Sequence, residues 1–344
     1  MAKLAKYKGV DSQFDQFKIF KEVSVMARKV IDLCMDQPPS EEYLLDMFKG
    51  DCLGDGPIKM AGYRNTFDEK IANLIGTSIA ELDKAVAEGG EELLVKTVLE
   101  ARKNSGLVDA DGYYDLLNKL NVSWGFTVKS NHNNEETAAI CATHPDKYYG
   151  FIYLDPKDGM NAVRELERCV KELKLSALYI SAYRTGLPAN DKKCYPLYAK
   201  ACELGIPVFI YSSMNYTAKL PMYVGHPSYI DDVARDFPEL KIMAAVSGWP
   251  WSMDLIGLAM RHDNVCINME VYDYAEMAKV GSGFEGYLYY AETKIRDKLC
   301  FASDWSSQGV PLEQLIKNVE GLPLSDGTID NILYNNAARF FERG

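Results

Sequence analysis

A single-domain TIM barrel, eight β/α units closed on themselves, is the fold class that the sequence predicts. Three observations carry the prediction. Short apolar runs return at crossover spacing from about residue 120 onward, helix-period segments separate them, and the runs are rich in β-branched and aromatic residues. Parallel strands covered on both faces read in this way, as near-continuous rather than alternating hydrophobic stretches.

The first run is VIDLCM (30–35). After a long gap come VSWGFTV (122–128), YYGFIYL (148–154), SALYISA (176–182) and IPVFIYS (206–212), then KIMAAVS (241–247), NVCINMEV (264–271) and KLCFAS (298–303). Segments such as GMNAVRELERCVKELK (159–174) and YPLYAKACELG (195–205) read as crossover helices, the second closed by Gly205 as a C-terminal cap. A doubly wound open sheet is the competing architecture, but no Gly-x-Gly-x-x-Gly follows an early strand.

Two stretches fall outside the repeat. Residues 1–29 form an N-terminal extension with one helix predicted in FDQFKIFKEVSVMARK. Residues 37–120, between the first two strands, are too long for one crossover. They hold a Gly/Pro/Asp-rich loop (GDCLGDGPIKMAGYRN) and an Ala/Glu/Leu-rich helical region. An insertion leaving the C-terminal end of a barrel strand lies over the mouth, where it serves as a lid, a dimer surface or padding.

The chain has 344 residues, 47% hydrophobic and 25% charged, with a net charge of −11. That is the composition of a soluble globular protein, and with no Lys/Arg stripe it argues against a nucleic-acid partner. The eight cysteines are scattered without a Cys-x-x-Cys pair, which favours reduced thiols in a cytoplasmic protein over a disulfide framework or a zinc knuckle. The opening MAKLAKYKGVDSQFDQ is too polar for a signal peptide, and no apolar run reaches the roughly 18 residues of a membrane span. The expected partner is a small-molecule substrate, not a membrane.

In a TIM barrel the site is built just past the strand C-termini. Those positions hold Cys34 and Asp36, then Lys129, Asn131 and His132, then Asp155. Ser181 and Arg184 follow, then Tyr211 and Asn215, Ser247 and Trp249, Glu270 and Tyr272, and finally Asp304 and Trp305. The ring is polar, mixed in charge and aromatic, which suits a small anionic or aromatic substrate. Of the four histidines, His144 and His262 precede strands and belong to the barrel's bottom. His132 lies past the second strand on the top face, and His226 lies in the loop after the fifth.

Here a resemblance becomes specific. ATHPDKYYGFIYLDP, PLYAKACELGIPVFIY, GHPSYIDDVARDFPELKIMAAVSGWPW, RHDNVCINME, CFASDW and ILYNNAARFF together resemble the amidohydrolase-2 family, which includes aminocarboxymuconate-semialdehyde decarboxylase and related aromatic-acid decarboxylases, hydratases and hydrolases. The likeness runs from about residue 120 to the C-terminus, and VIDLCMDQPP extends it to the first strand. It implies a TIM barrel and, as an expectation carried by the family alone, homo-oligomers.

The resemblance also implies a divalent metal held by His-x-His after strand one, a histidine after each of strands five and six, and an aspartate after strand eight. In this chain those positions fall on Cys34, Asp36, Tyr211, Val246 and Asp304, of which only Asp304 matches. Valine cannot ligate, and tyrosine must lose a proton of pKa about 10 to do so. No cofactor is therefore expected. A metal such as zinc, held by a remodelled shell of Cys34, Asp36 and Asp304 completed by His132 or Glu270, is the alternative.

Without a metal, two inward carboxylates at one mouth, Asp36 and Asp304, repel, which makes one a general acid beside a general base. Tyr211 would donate to a developing oxyanion and His132 would join the catalytic set. Arg184 or Lys129 would hold a substrate carboxylate, with Asn215, Trp249, Glu270 and Trp305 as further substrate contacts. The reading is an enzyme, a hydrolase or a C–C or C–O lyase, acting on a small carboxylated substrate of aromatic or enolic type. Its rivals are the metal-dependent version and a catalytically silent barrel that binds a metabolite or serves in a complex.

Overall fold

The computed structural model describes residues 28–35, 69–104, 110–127, 134–215, 220–270 and 272–341. Eight parallel strands follow one another in sequence order: β1 (Val30–Met35), β2 (Val122–Thr127), β3 (Tyr148–Tyr153), β4 (Ala177–Ile180), β5 (Val208–Tyr211), β6 (Ile242–Ala245), β7 (Val265–Asn268) and β8 (Leu299–Cys300). Two backbone bonds bring the first and last strands together: Leu33 N–H donates to Phe301 O at 3.1 Å, and Asp304 N–H to Cys34 O at 2.8 Å. The predicted (β/α)8 barrel is the observed one.

Alternation along the strands sorts the side chains into two cores. Ile152, Leu178, Ile180, Val208, Ile210 and Ile242 face outward onto the helix layer, while Phe126, Phe151, Ala177, Tyr179, Phe209 and Met243 fill the barrel interior. The interior is strongly aromatic. Phe151 packs at 4.7 Å, centroid to centroid, against both Phe126 and Phe209, and each such contact contributes about 1 kcal/mol beyond its buried area.

β8 is shorter than the run 298–303 predicts. Asp32 explains where the ladder stops: its buried carboxylate accepts from Cys34 N–H (3.1 Å), Ser303 N–H (2.8 Å) and the Ser303 hydroxyl (2.6 Å). A side chain thus takes amides that a neighbouring strand would otherwise pair. β1 bulges between Asp32 and Met35, and Gly125 of β2 permits it, because a Cβ there would strike the Asp32 carbonyl.

Within the 37–120 insertion the described residues form helices Glu69–Leu74, Ile79–Asn104 and Ala110–Lys119. The second bends at Gly90, whose φ of 63° is left-handed. Ser78 and Glu81 cap its start reciprocally, at 3.3 and 3.0 Å. The third is the crossover helix that packs on β2, and Glu69–Leu74 packs on Trp305–Gln308, the short helix leaving β8 at the mouth. The helix expected in the N-terminal extension, and the Gly/Pro/Asp-rich loop, lie outside the described residues. Among the described residues no helix is long and apolar enough to cross a membrane.

Candidate active site

The backbone at the mouth is unusual at two strand ends. After β6, Val246, Ser247 and Gly248 take φ values of 73°, 52° and 75°, and after β8 Asp304 takes 41°. A β-branched residue in the left-handed region is strained, and such strain persists only where surrounding bonds over-determine it. Here Asn268 supplies them. Its Oδ1 accepts from Val246 N–H at 3.1 Å and its carbonyl from Ser247 N–H at 3.3 Å, while Tyr287 donates to Ser247 O at 2.9 Å.

The same asparagine reaches the chemical centre of the mouth. Its Nδ2 donates to Glu270 Oε2 at 2.8 Å, the Tyr179 hydroxyl lies 3.2 Å from Oε1, and Ser247 Oγ donates to the Glu270 carbonyl at 3.2 Å. Glu270 is 4% exposed. Burial pushes its carboxyl up to about 7, against hydrogen bonds from Asn268, Cys34 and Tyr179 that favour the ionised form; the charge of Asp32 adds to the rise. Cys34 is pushed well up by burial and then by the charges of Glu270, Asp304 and Asp32, so it is a thiol at neutral pH. Burial likewise pushes the Tyr179 phenol well up.

A group of tyrosines surrounds one cation, and Tyr179 links the group to this acid. The Arg184 guanidinium lies 5.4 Å from the ring centres of both Tyr153 and Tyr183, and its Nε donates to the Tyr183 hydroxyl at 3.1 Å. Tyr153 packs on Tyr179 at 5.3 Å, and Tyr183 on Tyr211 at 4.9 Å.

The residues singled out from the sequence divide sharply. Cys34, Arg184, Tyr211, Glu270 and Asp304 come to the mouth. Tyr211 differs from its expected role: its hydroxyl already donates to Met214 O at 2.6 Å and is committed to the loop after β5. Asn215 fastens that same loop by donating to Pro221 O at 3.0 Å.

The two tryptophans named as substrate contacts, Trp249 and Trp305, pack outside the barrel interior. Trp305, 3% exposed, belongs to the outer core beside Tyr113 at 5.9 Å. Trp249 packs against that same core, its indole N–H donating to Ser282 O at 3.2 Å. Asp36, Lys129, Asn131 and His132 lie outside the described residues. His144 and His262 sit at the bottom as expected, paired with Asp111 at 2.7 Å and Asp231 at 2.6 Å. His226 bonds Ser228 at 2.9 Å and packs on Trp251.

Sequence reading missed Asp32, Tyr153, Tyr179 and Asn268. Parity would have found three of them: Tyr153 and Tyr179 lie an even number of residues from the inward Phe151 and Ala177, and Asn268 likewise from Cys266.

Among the described residues, the donors do not match the His-rich shell that the resemblance implies for a divalent metal: its positions hold the buried thiol of Cys34, the Tyr211 phenol donating to a carbonyl, the apolar Val246 and one carboxylate, Asp304. Among the described residues no three His, Cys, Asp or Glu side chains are grouped to hold a metal ion.

Comparison with known proteins agrees with the fold and the family. The amidohydrolase family model matches residues 121–343. Among curated relatives, the decarboxylase orsB of Emericella nidulans is 26% identical over 185 residues, 53% of this chain and 52% of that protein. Gamma-resorcylate decarboxylase of Rhodococcus jostii is 27% identical over 103 residues, 27% of this chain and 31% of that one. The chain thus spans about half or less of these relatives.

Among solved structures, a TIM-barrel protein of Bordetella bronchiseptica superposes with a TM-score of 0.64 at 19% identity, covering 91% of this chain and 98% of that one. The 5-carboxyvanillate decarboxylase of Novosphingobium aromaticivorans, solved with manganese and a nitrobenzoic acid, gives 0.59 at 14% identity over 94% of this chain and 100% of the other.

Proposed function

The chain belongs to the amidohydrolase family, and from that premise we propose that it is a carbon–carbon lyase that removes the carboxylate from a small hydroxylated aromatic acid. The observation that carries the reading is Glu270, a buried carboxyl raised to about 7 that bonds Tyr179, whose ring packs on Tyr153, the tyrosine that in turn meets the Arg184 guanidinium. Partial relatives named as decarboxylases support the substrate class.

In this reading Arg184 binds the substrate carboxylate and the tyrosines flank the ring. Asp304 takes the proton of a ring hydroxyl, which raises electron density at the carbon bearing the carboxylate. Glu270 gives its proton to that carbon. The bond to the carboxylate then breaks, its electron pair returns to the ring and CO2 leaves. Solvent reprotonates Glu270, and the proton on Asp304 returns to the product hydroxyl. The Arg184 ion pair is lost as neutral CO2 forms, so the arginine contributes to binding more than to the chemical step. No step requires a metal, in keeping with the donor set.

The test is turnover. The full chain is incubated with 5-carboxyvanillate and dihydroxybenzoates, and CO2 release is followed together with formation of the decarboxylated phenol. Stoichiometric release from one of them is expected. Intact substrates across the panel, with and without added manganese, would overturn the reading.

A further inference from the structure

Among the described residues, five buried serines stand where barrel strands give way to loops, and four of their hydroxyls have a partner. Ser212 donates to Ala245 O at 2.5 Å, Ser213 to Trp249 O at 2.6 Å, Ser247 to Glu270 O at 3.2 Å and Ser303 to Asp32 Oδ2 at 2.6 Å. Ser181, just past β4, is the exception: it is 3% exposed, and its hydroxyl has no hydrogen-bond partner. A hydroxyl that has left water without gaining a partner destabilises the fold that holds it.

Its place is in the mouth. Ala177 and Tyr179 face the barrel interior, and Ser181 keeps extended backbone (φ −109°, ψ 102°), so alternation turns its side chain the same way. One step beyond the Ile180–Ile210 pair of the β4–β5 ladder, it stands beside Tyr211, on which Tyr183 packs. Its carbonyl accepts from Arg184 N–H and Thr185 N–H, both at 3.1 Å, and so begins the turn that carries Arg184. A serine in that position commonly caps the turn with its hydroxyl, but here it makes no such bond.

We propose that Ser181 is a substrate-binding residue: its hydroxyl donates a hydrogen bond to the carboxylate of the aromatic acid, beside the Arg184 guanidinium. The assignment rests on the reading of the mouth as a decarboxylase site with Arg184 at the carboxylate. Ser181 and Arg184 belong to one turn, and Tyr179 and Tyr211, which neighbour Ser181, belong to the group of rings around that cation. A carboxylate only accepts, while a hydroxyl and a guanidinium both donate, so the two side chains engage different lone pairs. Bound acid thus satisfies a hydroxyl that the free protein leaves unmet. Loss of CO2 strips the contact away, and the uncarboxylated product leaves Ser181 unpaired again. Ser181 therefore favours the acid over its product and acts on binding, not on the chemical step.

The test compares Ser181→Ala with Ser213→Ala in the full chain. Benzoate keeps the carboxylate but lacks the ring hydroxyl that the proposed reaction deprotonates, so it binds without turning over; phenol lacks the carboxylate. By calorimetry, Ser181→Ala should weaken benzoate about tenfold and leave phenol unchanged. In substrate-free protein its Tm should stay level or rise, because an unmet hydroxyl is gone, whereas Ser213→Ala deletes a bond already made and should lower Tm. With an acid that turns over, Ser181→Ala should raise KM about tenfold at near-constant kcat.

A serine kept for folding would lower Tm as Ser213 does and leave benzoate affinity alone. That result, equal loss of benzoate and phenol, or a wild type that binds no benzoate would overturn the proposal. Weakened benzoate binding in a protein that releases CO2 from no acid would keep Ser181 as a carboxylate contact and discard the decarboxylase reading.

Discussion

The two ends of the barrel handle charge in opposite ways. At the bottom, ion pairs stand in contact with water. Arg28 is bound by Asp326 and Asp330, His144 by Asp111, and His262 by Asp231, while Lys298 donates to the Asp263 carbonyl just before β7 and Lys147, itself buried, to the carbonyl of Val122, the first residue of β2. Such pairs tie loops to strand starts and each contributes little. At the mouth, Asp32, Asn268, Glu270 and Ser303 are buried, every one hydrogen-bonded, beside two strand ends with left-handed backbone. Buried polar groups cost stability unless paired, and strained backbone costs more. One framework therefore concentrates its destabilising features at the end where chemistry is expected, and stitches the other with wet ion pairs.

Substitutions that respect this contrast should differ widely in size. The largest effect is expected at Glu270. Replacing it by Gln removes the proton source and should lower kcat by about 10²- to 10⁴-fold with the fold intact, read by steady-state kinetics and circular dichroism. The same variant should also change stability against pH. Because burial raises this carboxyl from 4.5 to about 7, the folded state binds the extra proton between those values, so its contribution is full below 4.5 and is lost as pH rises to 7. Denaturant titrations should show wild-type stability falling by up to about 3 kcal/mol across that window, and the Gln variant lacking that component. A wild type equally stable at both ends would remove the raised acid.

A smaller effect is expected at Asp304. Its φ of 41° suits asparagine, so Asp304→Asn preserves the turn and tests the carboxylate alone. A fall in kcat of about 100-fold is expected, and unchanged turnover would remove its role as base. Arg184→Met should raise KM by about 10- to 100-fold with kcat altered much less; a change confined to kcat would place Arg184 elsewhere in the mechanism. The smallest effect belongs to the bottom. His262→Ala should cost about 1 kcal/mol or less in thermal unfolding, with activity untouched.

Much of the framework was legible in the sequence, because buried parallel strands impose continuous apolar runs and each run here had its own boundary. The polar mouth was legible only in part. Glu270, Arg184 and Asp304 follow strand ends and could be counted off directly. Glu270 was read as a substrate contact because nothing in the string NMEV reports how fully the fold removes that carboxyl from water.

Trp305 shows the converse failure. It comes soon after the apolar run 298–303, yet the left-handed Asp304 stands before it, and the indole packs in the outer core beside Tyr113. Tyr211 was found by position, but its proton was already committed to Met214, a local turn that residue order does not disclose. Asp36 and His132, which complete the set expected from the sequence, lie outside the described residues.

In the proposed reaction, buried carboxyl chemistry rather than a metal drives removal of the carboxylate. Its most direct test is the pH profile of CO2 release by the full chain after chelator treatment and removal of the chelator. Undiminished turnover with an alkaline limb near pH 7, where Glu270 loses its proton, is the predicted result. Turnover abolished by the chelator and restored by manganese would contradict it.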